Sequence, residues 1–169
     1  MIEMELIGVR VELPANQPIV LLKETGGTRY LPIWIGAVEA TAIAFALQGV
    51  ETPRPLTHDL FVSVLGETGV ELTAVHVTDL RDGTFYAELH LRQQDRTWTV
   101  TARPSDAIAL AARLEDVPVL AAEPVLAEAG LEIDSTDEDG ETGVDAEEEV
   151  KQFREFLDQV TPSDFEGQG

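Results

Sequence analysis

The chain opens on an alternating stretch. Ile7, Val9, Val11 and Leu13 interleave with Leu6, Gly8, Arg10 and Glu12, a period of two that predicts a strand over Glu5–Leu13. Pro18–Glu24 and Arg29–Ile35 read as two further strands joined by Thr25-Gly26-Gly27-Thr28, a hairpin turn. The period then changes. Gly36–Gln48 is Ala-rich, apolar on nearly every side and stopped by Gly49, which predicts a helix. Thr57–Glu67 follows as a second helix with Thr57 as its N-cap. Glu71–Asp79, Thr84–Leu91 and Thr97–Ala102 read as three strands, with turns at Arg81-Asp82-Gly83 and Gln94-Asp95-Arg96. Ser105–Leu114 is a helix, Val117–Ala121 a short strand and Pro124–Ala129 a short helix.

This order contains a repeat. Three strands and a helix occur over 5–48 and again over 71–114. Both helix starts place an acid followed by Ala in the first turn, Glu39-Ala40 and Asp106-Ala107, 67 residues apart. The expected fold class is therefore α+β, with duplicated β3α units around a curved mixed or antiparallel sheet. A first helix that is apolar nearly all round suits one covered on both sides, so a homo-oligomer is expected.

Beyond residue 130 the pattern stops. Asp134–Glu149 has Val144 and Ala146 as its only apolar residues, too few to offset the entropy of ordering. The expected division is a domain over 1–130, an acidic disordered linker over 131–149, an amphipathic helix over 150–161 and a disordered end over 162–169. In the helix, Val150, Phe153, Leu157 and Val160 share one face, and Pro162 ends it. A helix so short needs a surface to dock on, its own domain or a protein partner.

Charge narrows the function classes. The 169 residues carry 32 acidic and 11 basic side chains, a formal −21. Residues 123–169 hold −14 of it. The whole-chain field excludes a basic nucleic-acid-binding module and a polybasic membrane anchor. The absence of cysteine excludes disulfides, zinc fingers and thiol nucleophiles. No secretory pattern opens the chain and no apolar run reaches a membrane span, so a cytoplasmic protein with no membrane partner is expected.

With Gly36 and Arg103 as N-caps, Glu39 and Asp106 both fall at N3. There a carboxylate can cap the helix and meet its positive end. The same pair could instead face one another, acting as acid and base or holding a divalent ion such as magnesium or manganese. Arg54-Pro55-Leu56-Thr57-His58-Asp59 is the most polar cluster of the domain, with His58 able to titrate near neutrality. It reads either as a capped helix start or as an acid–base site; His58 and Asp59, as helix neighbours, point about 100° apart. Arg54 and Arg103, ahead of two helix starts, suit a phosphate or other anion with Ser105 beside them, or a salt bridge to a neighbouring acid. His76 and His90 fall on the polar faces of their strands and read as surface histidines, while Trp34 and Trp98 read as core. No P-loop, GxGxxG, HExxH or GxSxG sequence is present.

Three segments resemble one family. Leu31-Pro32-Ile33-Trp34-Ile35-Gly36 followed by Glu39-Ala40, then Arg54–Asp59, then Ala102-Arg103-Pro104-Ser105-Asp106-Ala107-Ile108-Ala109-Leu110-Ala111 together look like the bifunctional nuclease family of bacteria and plants, over about residues 2–130. The resemblance implies a duplicated α+β fold, a tendency to oligomerise and nuclease activity on DNA and RNA. It maps the site to Glu39, Arg54, His58, Asp59, Arg103, Ser105 and Asp106. In that reading a divalent metal on Glu39 and Asp106 activates water, Arg54 or Arg103 stabilises phosphate charge, and His58 is the acid or base. The electrostatics pull against it, because a −21 chain repels a polyanion. A non-catalytic regulatory module, binding a small anion at Arg54 and Arg103 or a protein partner, is the alternative.

Overall fold

The computed structural model describes residues 1–12 and 16–132. The expected linker, the helix over 150–161 and the chain end lie outside the described residues. Eight strands and four helices follow in the order β1 (Ile2–Glu12), β2 (Gln17–Glu24), β3 (Arg29–Trp34), α1 (Ala37–Leu47), α2 (Thr57–Thr68), β4 (Glu71–Arg81), β5 (Thr84–Gln93), β6 (Arg96–Ala102), α3 (Pro104–Ala111), β7 (Val119–Ala121), α4 (Glu123–Ala129) and β8 (Leu131–Glu132). The boundaries move by a few residues from those the sequence predicts, and β8 is an addition.

The strands form one open mixed sheet in the order β6-β5-β4-β7-β1-β2-β3-β8. β1–β3 and β4–β6 are antiparallel meanders on either side of β7. β7 runs antiparallel to β1 and parallel to β4, so β1 and β4 point in opposite directions. This is the arrangement a two-fold relation between the β3α units produces, and the fold is the expected α+β class with the units side by side. Tight turns close the second meander: Arg81 pairs with Thr84 around Asp82-Gly83, both at positive φ. Glycine at the second of these positions takes that conformation without a side-chain clash.

A single core lies between the helices and one face of the sheet. Val20, Leu22, Leu31 and Ile33 from the first unit and Val75, Val77, Ala87 and Leu89 from the second are buried with Ile43, Ile108, Val125 and Leu126. Fully burying such a side chain contributes roughly 1.5–3 kcal/mol. α3 is the central helix: Ala107 through Ala111 are all buried, and it touches both α1 and α2. α1 is less covered than its composition suggests, with Val38 and Leu47 exposed in the single chain.

Alternation places Glu3, Glu5, Lys23, His76, Glu88 and His90 on the opposite face of the sheet. Two expectations need correction. Trp34 is 49% exposed, because Leu31 and Ile33 take the core-facing positions and Trp34 falls on the alternate side. Trp98 does pack against the core. His76 and His90 are half-buried rather than freely exposed: their ring centroids are 3.7 Å apart, and His90 Nε2 is buried without a hydrogen-bond partner among the described residues.

Candidate functional site

The starts of α1, α2 and α3 converge. Gly36 and Arg103 are the N-caps of α1 and α3, so Glu39 and Asp106 occupy the same N3 position in the two units. A Cβ at Gly36 would meet only Glu39 Oε2, the movable end of that side chain, and would have to shift it. Pro104, at N1 of α3, is pre-set for a helix start and lacks only an N–H that would be unpaired anyway. The N-cap of α2 is Leu56, not Thr57, and its N–H is satisfied from N3, where Asp59 Oδ2 accepts it at 2.8 Å.

Arg103 joins the two acids. It donates Nη1 to Glu39 Oε1 at 2.8 Å, Nε to Asp106 Oδ2 at 2.8 Å and Nη2 to Asp106 Oδ1 at 3.1 Å. His58 Nε2 lies 3.2 Å from the same Asp106 Oδ1. His58 is largely buried, with 17% of its side chain exposed, whereas Arg103 is 64% exposed. Burial pushes the Asp106 carboxyl up, but the hydrogen bonds from Arg103 and His58 outweigh it and hold the group below the usual carboxylate range. The two carboxylates, led by Asp106, raise the Arg103 guanidinium further.

Asp59 turns away from His58, as helix geometry requires, and meets Arg113. Arg113 Nε donates to Asp59 Oδ1 at 2.6 Å and its Nη1 to the Ala109 carbonyl at 2.8 Å. That bond, foremost among several, lowers the Asp59 pKa. Arg113 is 9% exposed and clamps α2 onto α3, and so holds His58 over Asp106. Sequence reading missed it. Its signal is spacing alone, since Arg113 stands seven residues after Asp106, within the helix Ser105–Leu114 that the sequence predicts, whereas α3 ends at Ala111 and Arg113 lies just beyond it.

The remaining candidates stand apart. Arg54 is exposed, and its side chain has no ion pair or hydrogen bond among the described residues. Ser105 is 7% exposed, which leaves its hydroxyl little access to a ligand. A groove of about 680 Å³ lined by Glu3, Leu6, Leu47 and Asp116 includes none of the cluster. The cluster lies outside that groove, with Arg103 at its solvent side and His58 on its buried side.

Glu39 and Asp106 fit the expected metal poorly. Their oxygens already hold the Arg103 guanidinium, and among the described residues no three His, Cys, Asp or Glu side chains gather where they could hold a metal ion. A magnesium or manganese ion on this pair would have to displace Arg103.

A duplicated α+β domain with a histidine, two carboxylates and an arginine gathered at its helix starts is the class of protein defined here. The chain belongs to the bifunctional nuclease domain family, whose profile matches residues 20–134. It is also similar to two proteins of Mycobacterium tuberculosis, "Uncharacterized protein MT1877" and "Uncharacterized protein Rv1829". Each is 53% identical over 164 residues, covering 96% of this chain and 97% of the relative. No helix among the described residues is long and apolar enough to cross a membrane.

Proposed function

We propose that the chain is a nuclease that hydrolyses phosphodiester bonds of DNA or RNA at the His58–Asp106–Arg103 cluster. The observation that supports this reading is the shared carboxylate: Asp106 orients His58 at 3.2 Å while Arg103 grips it from the other side. With Nε2–H given to Asp106, the other ring nitrogen of His58 carries a lone pair that can take a proton from water. The resulting hydroxide attacks phosphorus, the phosphorus–oxygen ester bond breaks, and the proton held by His58 is available to the leaving oxygen. Arg103 spends three of its five N–H donors on the two acids and keeps two for the charge that develops on the phosphoryl oxygens. Glu39 positions Arg103, and Arg54 on the surface before α2 adds positive charge for the approaching backbone. The acidic residues of the chain make binding weak and salt-sensitive.

The test is cleavage of single- and double-stranded DNA and RNA by highly purified protein, in chelator and with magnesium or manganese added. Cleavage that persists in chelator and is lost in His58→Gln and Asp106→Asn supports the assignment. Full activity in both variants refutes it. Cleavage that needs the ion would mean Arg103 leaves Glu39 and Asp106 on loading. The non-catalytic alternative is favoured by the exposure of Arg103, which leaves its guanidinium open to a small anion; anion binding at Arg103 with no turnover of any substrate would establish it.

A further inference from the structure

A polyanion that approaches this chain meets a formal −21, and phosphate contacts are the part of its binding that such a field weakens. The cations at hand are few. Arg103 keeps two N–H donors beyond those given to Glu39 and Asp106, and Arg54 stands exposed before α2. The rest of a bound strand has to be held without charge. Stacking of a base on an aromatic ring is a contribution of that kind.

α2 offers the ring. Leu60 is 57%, Phe61 45% and Val64 51% exposed. They stand at i, i+1 and i+4 on one side of the helix, while Val62 and Leu65 pack against the core and His58 meets Asp106 on the other. Phe61 follows His58 by three residues, a spacing that makes them neighbours on the helix surface, about 5–6 Å apart at Cβ. From Leu60 to Gly66 no residue of α2 is charged. The helix therefore leads away from the cluster as a neutral strip in an acidic chain, with arginines at its start. That order matches a nucleotide, whose phosphate is charged and whose base is flat and neutral. The other exposed aromatics stand elsewhere. Trp34 lies on the alternate side of β3, and Tyr86 shares the sheet face of Glu88 and His90, with the Arg81 guanidinium 5.0 Å from its ring centroid.

We infer that Phe61 is a stacking platform for a nucleobase next to the phosphate held at Arg103, and that the substrate class is single-stranded DNA or RNA. This role depends on the nuclease reading of the His58–Asp106–Arg103 cluster. The platform selects single strands because a base in a duplex has both faces covered by its neighbours and must be unpaired and unstacked before it can reach the ring. It tolerates any sequence, because every base has a face to stack and the strip has no hydrogen-bonding group to read an edge. Leu60 and Val64 extend the apolar surface on which the base and its sugar lie.

The test uses full-length protein in the His58→Gln background, so that binding is read without turnover. Fluorescence anisotropy at low salt compares a labelled single strand, the same strand carrying abasic sites and the corresponding duplex. Phe61→Ser should weaken binding of the single strand about 5–150-fold, the ~1–3 kcal/mol of one stacked base at about 1.4 kcal/mol per decade. It should make no difference to the abasic strand, and the duplex should bind more weakly than the single strand. Phe61→Trp, which keeps a ring, should bind the single strand at least as tightly as Phe61. Equal affinities of Phe61 and Phe61→Ser for the single strand overturn the assignment. So does an equal loss on the abasic strand, a Phe61→Trp variant as weak as Phe61→Ser, or a protein that binds no strand at all. A change of mass in Phe61→Ser by light scattering also overturns it, since the strip would then belong to an interface between copies. Failure of the nuclease reading looks different: a parent chain that cleaves no strand, while binding single strands through Phe61, loses the chemistry and keeps the platform.

Discussion

His58 and Asp106, 48 residues apart in the chain, meet at 3.2 Å between the first turns of α2 and α3. The contact joins a histidine from the segment between the two β3α units to the N3 acid of the second unit. A general acid–base histidine contributes about 10²–10⁴-fold to rate. His58→Gln and Asp106→Asn are each expected to lower kcat for phosphodiester cleavage by about that range, with little change in KM. Steady-state kinetics on a short fluorescent oligonucleotide separates the two constants.

Arg103 neutralises two acids that otherwise face each other. Because it is mostly exposed, its removal costs stability little, about 0–1 kcal/mol. Arg103→Ala leaves Glu39 and Asp106 free, and it should bind magnesium or manganese more tightly than the parent chain. Isothermal titration calorimetry at low salt reads the difference; equal affinities would show that the guanidinium does not guard the pair.

Arg113 is the structural counterpart. It is nearly buried, makes one charged bond to Asp59 of α2, and is braced by one bond to the Ala109 carbonyl of α3. Arg113→Met keeps the stem and removes the bonds, and should cost about 1–3 kcal/mol. Thermal melting measures the loss. Because the clamp positions His58, activity at a temperature where the variant is folded should fall as well.

pH acts at two places with the same sign. His76 is lowered by burial first and by neighbouring His90 second, against an opposing pull from Glu88 and with a further small push from the N-terminal amino group. A depressed histidine binds fewer protons folded than unfolded, so its contribution is intact above about pH 6.5 and is lost as pH falls below it. Asp59 and Asp106 are also depressed, and their contribution is lost only as pH falls below about 4. Melting temperature from pH 8 to 3 should fall in two steps. His76→Gln should flatten the upper step and spare the lower; a curve unchanged by that variant would place the upper step elsewhere.

The strands and helices were legible because their signals are local. Alternation and helical spacing located eleven of the twelve elements, and β8, two residues long, is too short to have a period. The repeat was legible for the same reason, since Glu39 and Asp106 carry equivalent first-turn positions. Periodicity also told His58 and Asp59 apart. It could not say that Trp34 turns outward, because an alternating strand shows two faces and the helices choose which is covered.

What the sequence by itself determined is the set of elements, the duplication and the residue types offered at each helix start. The tertiary structure alone decided which of them meet. β7, inserted between the two meanders, sets β1 and β4 in opposite directions and brings α1 and α3 together. That packing puts Arg103 between Glu39 and Asp106, and Arg113 then holds α2 so that His58 completes the cluster while Arg54 stays outside it. The physical reason is range: backbone preference and side-chain period act over a few residues, whereas these contacts exist only once strand pairing and core burial have fixed where distant helix starts lie.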